Sequence, residues 1–425
     1  MKKKILVVCP YERDKRELGF VHVRGDYDIV FHETDQFVNR IAHNGIQDAF
    51  DVCSDPFHTV SDILNVAEHE NVSGIMSSDD YPGSILSNIA AYEFGVPGVH
   101  PAIITQLQHK YYSRCLQQQY VPEATPYYTL LDPQRFKVNS CDIVFPVFVK
   151  PVKSFFSLFA DTAYNVHDIK HFVHTSRVPS NFLHTLDWSL HKYAACDLKS
   201  DYLLAEGLLS GHQVTLEGYV VDNHVGLVGI VDSIMFPGTI SFERFVYPSR
   251  LPDHVQKRMY DIVCRLMHGV QFNNSFFNVE MMYNPMTNAI HIIEVNTRMA
   301  AQFADLYEKV DGTNSYTYAL DVAIGKKPEP TVQKGKYAIA ASLVLRIFED
   351  RYIRRMPTPA DIEKLYILFP DVRVEAYGAE GKKLSEAFQD GKSFRYGLIH
   401  LGARDEQELN EKYAQAKDIL GFEFA

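Results

Sequence analysis

The sequence predicts a multi-domain protein in which an α/β layer at the N-terminus is followed by α+β units. Three observations carry this. Over the first hundred residues, short β-rich runs (Ile5 to Cys9, Tyr27 to Phe31, Gly74 to Ser77) alternate with helical stretches, as in a parallel sheet with crossover helices. From about Gln106 that alternation gives way to paired strand patterns. A length of 425 residues exceeds one ordinary core and points to roughly two or three packed units.

Within the first layer, Ser84 to Phe94 reads as a helix stopped by Gly95, and Val96 to Val99 as a short strand after it. The layer is Rossmann-like, yet it lacks the GxGxxG phosphate fingerprint, so its sheet supports a neighbour instead of holding a dinucleotide. A helix carrying Lys110 follows, then a Pro- and Tyr-rich connection and an apolar strand, Ile143 to Val149, ending in Lys150. Paired strands are expected around Leu203 to Glu206, Val214 to Val221 and Val225 to Val231, with Asn223 in a turn, and a helix from about His254 to Met267. A Pro- and Lys-bearing link near Pro328 opens a third piece. There Thr358, Pro359 and Asp361 fit the N-cap, first and third positions of a helix. The expected domains are 1–105, 106–330 and 331–425, with a lid at about 140–210.

Composition narrows the function. Hydrophobic residues at 46% and charged residues at 22% describe an ordinary globular chain. A formal net charge of −11 argues against nucleic acid as a partner, because phosphate neutralisation needs clustered Lys and Arg. The apolar run Ile5 to Cys9 is too short for a signal peptide, and no stretch approaches the ~20 residues of a membrane span. Six scattered cysteines without CxxC spacing fit a reducing cytoplasm.

The strongest chemical signal is the strand pair Phe277 to Tyr283 and Ala289 to Asn296, joined at Asn284, Pro285 and Asn288. Glu280 lies mid-strand, while Glu294 and Asn296 alternate onto one face of the returning strand. Two carboxylates and an amide oxygen form a hard-oxygen set suited to Mg²⁺ (or Mn²⁺) on nucleotide phosphates; the plain alternative is a solvated strand face. Arg298 shares that face and could grip phosphate oxygens while charge develops, a catalytic role shared with Lys150. Lys110 and Lys150 add point charges. His167, His171 and His174 share a helix face at zinc-compatible spacing, but nothing nearby completes a ligand set, and a solvated face is the favoured reading.

Four segments in this order, FPVFVKPV (Phe145 to Val152), LLAEGLLSGHQVTLEG (Leu203 to Gly218), FNVEMMY (Phe277 to Tyr283) and IIEVNTRMAA (Ile292 to Ala301), resemble the ATP-grasp superfamily. The likeness is to its carboxylate-amine ligases, which include biotin carboxylase and the L-amino-acid ligases. It spans most of residues 106 to 330. It implies a pre-ATP-grasp N-terminal domain, an ATP-grasp domain of two α+β subdomains and a small C-terminal α+β domain. It further implies that Lys110 and Lys150 contact ATP phosphates, that Glu206 with the backbone of Gly207 and Leu208 holds the adenine edge, and that Glu280, Glu294 and Asn296 ligate magnesium. Gln213 stands where the family carries a ribose-binding glutamate. After Lys150 the family's Gly-rich loop is replaced by Lys153 to Phe159 without glycine, leaving Ser154 and Ser157 as phosphate donors beside packing phenylalanines.

The turn-rich segment Asp232 to Arg250 would flank the acceptor, where Arg244 and Arg250 either neutralise a substrate carboxylate or are surface charges. Ala300, Ala301, Gln302 and Asp305, just after Arg298, are further candidates for contacting the acceptor. The expected reaction is ADP-forming ligation of a small-molecule carboxylate to an amine, in a cytoplasmic protein that could pair as a homodimer. A nucleotide-binding protein with little turnover, a carrier-dependent carboxylase and a phosphotransferase remain the competing expectations.

Overall fold

The computed structural model describes residues 2–33, 55–134, 143–154, 158–175, 178–387, 389 and 392–425. The first layer runs β1 (Lys4–Val8), α1 (Glu12–Gly19), α2 (Val21–Arg24), β2 (Asp28–His32), α3 (Pro56–Glu70), β3 (Gly74–Met76) and α4 (Gly83–Phe94). Its three strands are parallel in the order β2-β1-β3, as the alternating pattern predicts. Gly95 ends α4 in the left-handed region at φ 82°.

Val96 to Val99 is not a strand. Its amides are already committed to the preceding helix: Val96 N–H donates to the Ala91 carbonyl and Val99 N–H to Asn88 Oδ1. With those donors used, no sheet neighbour can pair there. The helix expected around Lys110 is two, α5 (Pro101–Gln108) and α6 (Lys110–Tyr120), broken at His109, whose extended backbone and ring nitrogen cap α6.

The next unit carries β4 (Tyr128–Leu131), β5 (Val147–Pro151), β6 (Asp161–Ala163), α7 (Val166–Thr175), α8 (Ser180–Ser189) and β7 (Leu203–Gly207). These strands form an antiparallel sheet in the order β4-β7-β5-β6. Leu203 to Glu206 therefore pairs with the Lys150 strand and not with Val214 to Val221. The three histidines of α7 are exposed.

The remainder comprises β8 (His212–Val221), β9 (His224–Met235), β10 (Phe242–Tyr247), α9 (Asp253–Gly269), β11 (Ser275–Asn284), β12 (Ala289–Asn296), α10 (Ala304–Asp311), α11 (Ser315–Ala323), β13 (Ile339–Ile347), β14 (Ile353–Arg355), α12 (Pro359–Leu368), β15 (Arg373–Ala376), β16 (Phe394–Ala403), α13 (Glu406–Leu420) and β17 (Glu423–Phe424). Eight of these strands make one antiparallel sheet, β12-β11-β8-β9-β10-β13-β16-β15. Positive φ at Asp222 and Asn223 closes the β8–β9 hairpin, the two-residue turn whose twist matches its strands. Thr358 and Asp361 form the expected capping box of α12.

Residues directly opposite in an antiparallel sheet share a face. One face thus carries Glu294, Glu280 and Thr215 in one cross-strand row, and Gln213, Ser233, Phe245, Ser342, His400 and Arg373 in another. Among the described residues, no helix is long and apolar enough to cross a membrane.

Candidate active site

Ion pairs tie three sheets together over the β11–β12 end of that face. Lys110 and Arg114 lie one helical turn apart on α6 and reach two different strands. Lys110 Nζ is 2.8 Å from Glu294 Oε1 on β12, and Arg114 Nε is 2.6 Å from Glu206 Oε1 on β7. Lys150 on β5 meets the other Glu206 oxygen at 2.6 Å. Lys110 N–H donates to the Val152 carbonyl at 2.9 Å, which locks the start of α6 to the end of the Lys150 strand. Below them Asp80, in the loop after β3, takes Lys153 at 2.9 Å and Arg298 at 3.4 Å. Gln108 joins these loops: its amide donates to Thr297 Oγ1 at 3.0 Å and Ser84 Oγ at 2.9 Å, while its oxygen accepts from Lys153.

The electrostatics follow from this crowding. Burial alone would raise the Glu206 carboxyl, but Arg114 and Lys150 outweigh it and hold Glu206 down at about 2. Burial opposes the charge on Lys110, yet the facing Glu294 raises it overall. Burial pushes the Lys150 and Lys153 ammonium groups down. Glu280 and Glu294 stand directly opposite in register, and burial together with the Glu294 charge pushes Glu280 up to about 7. Gln213 donates to Glu280 Oε2 at 3.1 Å, and the Asn296 amide approaches its other oxygen at 3.5 Å. Two facing carboxylates that cannot both hold their charge comfortably fit a divalent cation, which would relieve their repulsion.

Glu280, Glu294, Asn296, Gln213, Lys110, Lys150, Glu206 and Arg298 therefore stand together, with Ser154 buried beside Lys153. Ser157 lies outside the described residues. The Glu206 side chain is committed to Arg114 and Lys150 and the Gly207 N–H donates to the Tyr127 carbonyl at 2.9 Å, while Leu208 is exposed. Gln302 is on the same sheet face, its amide donating to Ser342 Oγ at 2.9 Å. Arg244 and Arg250 do not join the cluster: both pair with Glu406 at the start of α13, at 3.4 and 2.9 Å.

Three contributors were not singled out from the sequence. Arg114 had a signal in its four-residue spacing from Lys110. Asp80 had only the acidic pair Asp79–Asp80 before Tyr81 and Pro82. Glu217, mid-strand on β8, had none. It is fully buried, accepts from Ala300 N–H at 3.2 Å, and is pushed by burial up to about 8.

Solved structures share this architecture along the whole chain. An L-amino acid ligase from Bacillus licheniformis matches with a TM-score of 0.69 at 13% identity, over 100% of this chain and 99% of its own. A phosphoribosylglycinamide synthetase from Anaerococcus prevotii matches at 0.63 with 14% identity, over 100% of both chains. The biotin carboxylase domain of the Hydrogenobacter thermophilus 2-oxoglutarate carboxylase, solved with MgADP and bicarbonate, also reaches 0.63 at 14% identity, over 100% of this chain and 90% of that one. By sequence, no family model and no curated protein matches the chain. The chain shares the fold of these solved ligase and biotin carboxylase structures.

Proposed function

We propose that the protein is an ADP-forming ligase that activates a small-molecule carboxylate with ATP and joins it to an amine. The observation that carries this is the in-register pair Glu280 and Glu294 facing lysines delivered by α6 and β5. In such a cluster each cation already has a carboxylate partner, so a nucleotide with its metal can exchange partners without leaving a buried cation bare. Lys110 and Lys150 would turn from carboxylates to phosphate oxygens. Glu280, Glu294 and Asn296 would hold Mg²⁺ (or Mn²⁺), which when bound neutralises phosphate charge.

In the reaction proposed, a substrate carboxylate oxygen bonds to the γ-phosphorus as the bond to the β-phosphate oxygen breaks, giving an acyl phosphate and ADP. The amine nitrogen then attacks the acyl carbon, the carbon–oxygen bond to phosphate breaks, and the amine's proton leaves with the phosphate. Arg298, tethered by Asp80 beside the carboxylate pair, steadies the charge on the transferring group. The Leu208 backbone with the Gly207 carbonyl would meet the adenine, Gln213 the ribose and Ser154 the phosphates, a role the sequence also assigns to Ser157. Gln302 faces the acceptor side, whereas Arg244 and Arg250 serve α13 on this reading. A cytoplasmic location, a homodimer and the domain limits 1–105, 106–330 and 331–425 belong to the same proposal.

The test is release of ADP and phosphate from purified protein with Mg-ATP, screened against pooled carboxylates crossed with pooled amines. Release that needs both pools supports the ligase. AMP formation, or release indifferent to the amine, contradicts it.

A further inference from the structure

The polar row along the sheet face runs from Gln213, hydrogen-bonded to Glu280, through Ser233, Phe245, Ser342 and His400 to Arg373. Two of its side chains are buried with a polar atom that has no hydrogen-bond partner among the described residues: Ser233 Oγ and His400 Nε2. Buried polar atoms without partners are rare in a finished fold, so two in one row call for a common explanation.

His400 is held by design of its neighbours. Its Nδ1 lies 2.6 Å from Asp305 Oδ1, and the second Asp305 oxygen takes Lys309 at 2.7 Å. Burial alone would raise the Asp305 carboxyl, but His400 and Lys309 outweigh it and hold Asp305 well below the usual carboxylate range. Asp305 is thus ionised and accepts from Nδ1, which leaves Nε2 as the ring atom free to meet a ligand. Ser342, directly opposite His400, is bonded by Gln302, four residues beyond Arg298. The chain that positions the charge-stabilising arginine therefore also positions the row. Gln302, Phe245 and Arg373 are only half-buried, which opens the row to a ligand.

We propose that the row from Ser233 to Arg373 binds the acceptor, with His400 Nε2 sharing a hydrogen bond with a hydroxyl or carboxamide on the acceptor's side chain. The inference rests on the ligase reading and adds the class of nucleophile: an amine whose side chain carries a hydroxyl or carboxamide. An aliphatic side chain leaves Nε2 unpaired, and a site built around a hydrogen bond rejects the analogue that lacks it.

Calorimetry on protein saturated with Mg-ADP tests this with near-isosteric pairs, L-threonine against L-valine and L-asparagine against L-leucine. The expected result is about tenfold or greater preference for the donor-bearing member of at least one pair, lost in His400→Leu. In Ser233→Ala, which removes the row's second unmet atom, the preference should fall by a smaller factor. That variant carries the test should His400→Leu fail to fold, as judged by its thermal transition. Equal affinities within both pairs, no binding of any of the four, or a preference that survives the variants overturns the proposal. ADP release in the pooled screen is independent of this outcome, so the ligase reading can stand while the row's role falls.

Discussion

Along one sheet face, the β11–β12 end and the β13–β16 end handle polarity differently. At the first, five cations (Lys110, Arg114, Lys150, Lys153, Arg298) meet Asp80, Glu206 and Glu294 as opposite partners. At the second, Asp305 pairs with Lys309 and His400, Arg373 pairs with Glu17, and Ser233 Oγ and His400 Nε2 have no partner among the described residues. Paired charges suit a polyanion with a metal, since both partners can be exchanged at once. Unpaired hydrogen-bonding atoms suit a polar ligand that can complete them. The difference teaches that the two ends are prepared for different chemistry, one by balanced charge and one by withheld hydrogen bonds.

The comparison breaks first at Glu294. Glu294→Gln keeps an oxygen for Lys110 but removes a charge from the carboxylate pair, so turnover should drop by about two to three orders of magnitude with the thermal transition little changed. Unchanged ADP release would remove the metal assignment. A smaller effect is expected at Lys150→Ala, which should weaken ATP binding by about tenfold to a hundredfold, the worth of one charge-assisted hydrogen bond. Equal affinity by calorimetry would take Lys150 out of the site.

Glu217 sharpens the comparison through pH. Its folded carboxyl is raised from an ordinary 4.5 to about 8, so below 4.5 folded and unfolded chains are both protonated there. As pH rises from 4.5 to 8, the unfolded chain releases a proton that the fold retains, and stability is lost across that window. Glu217→Gln can still accept from Ala300 N–H and has no proton to lose. Its denaturation midpoint should therefore gain on the wild type between pH 5 and pH 8, and parallel profiles would contradict the assignment. The smallest effect belongs to Arg250→Ala. An exposed pair with Glu406 contributes no more than about 1 kcal/mol, and turnover should be unaltered. A raised KM for the carboxylate would restore Arg250 to the substrate site.

Much of the first end was legible because its residues obey short-range rules. Period-two alternation put Glu294 and Asn296 on one face, and the hairpin turn fixed Glu280 opposite Glu294. Capping chemistry located α12, and the stop at Gly95 located the end of α4. The failures were of long-range pairing. Val96 to Val99 had strand composition, but α4 had already claimed its amides. Leu203 to Glu206 had a strand pattern whose partners, Tyr128 to Leu131 and Val147 to Pro151, lie more than fifty residues upstream. Asp80, His400 and Ser233 matter through neighbours brought by other elements, and no local spacing announces that.

The most direct test of acyl-phosphate formation is isotope transfer in the active pool of the screen. With the substrate carboxylate labelled with ¹⁸O, the account predicts that the phosphate released alongside ADP carries one ¹⁸O atom from the carboxylate. Unlabelled phosphate from a reaction that still joins carboxylate and amine would contradict it, because the carboxylate oxygen would never have bonded to phosphorus.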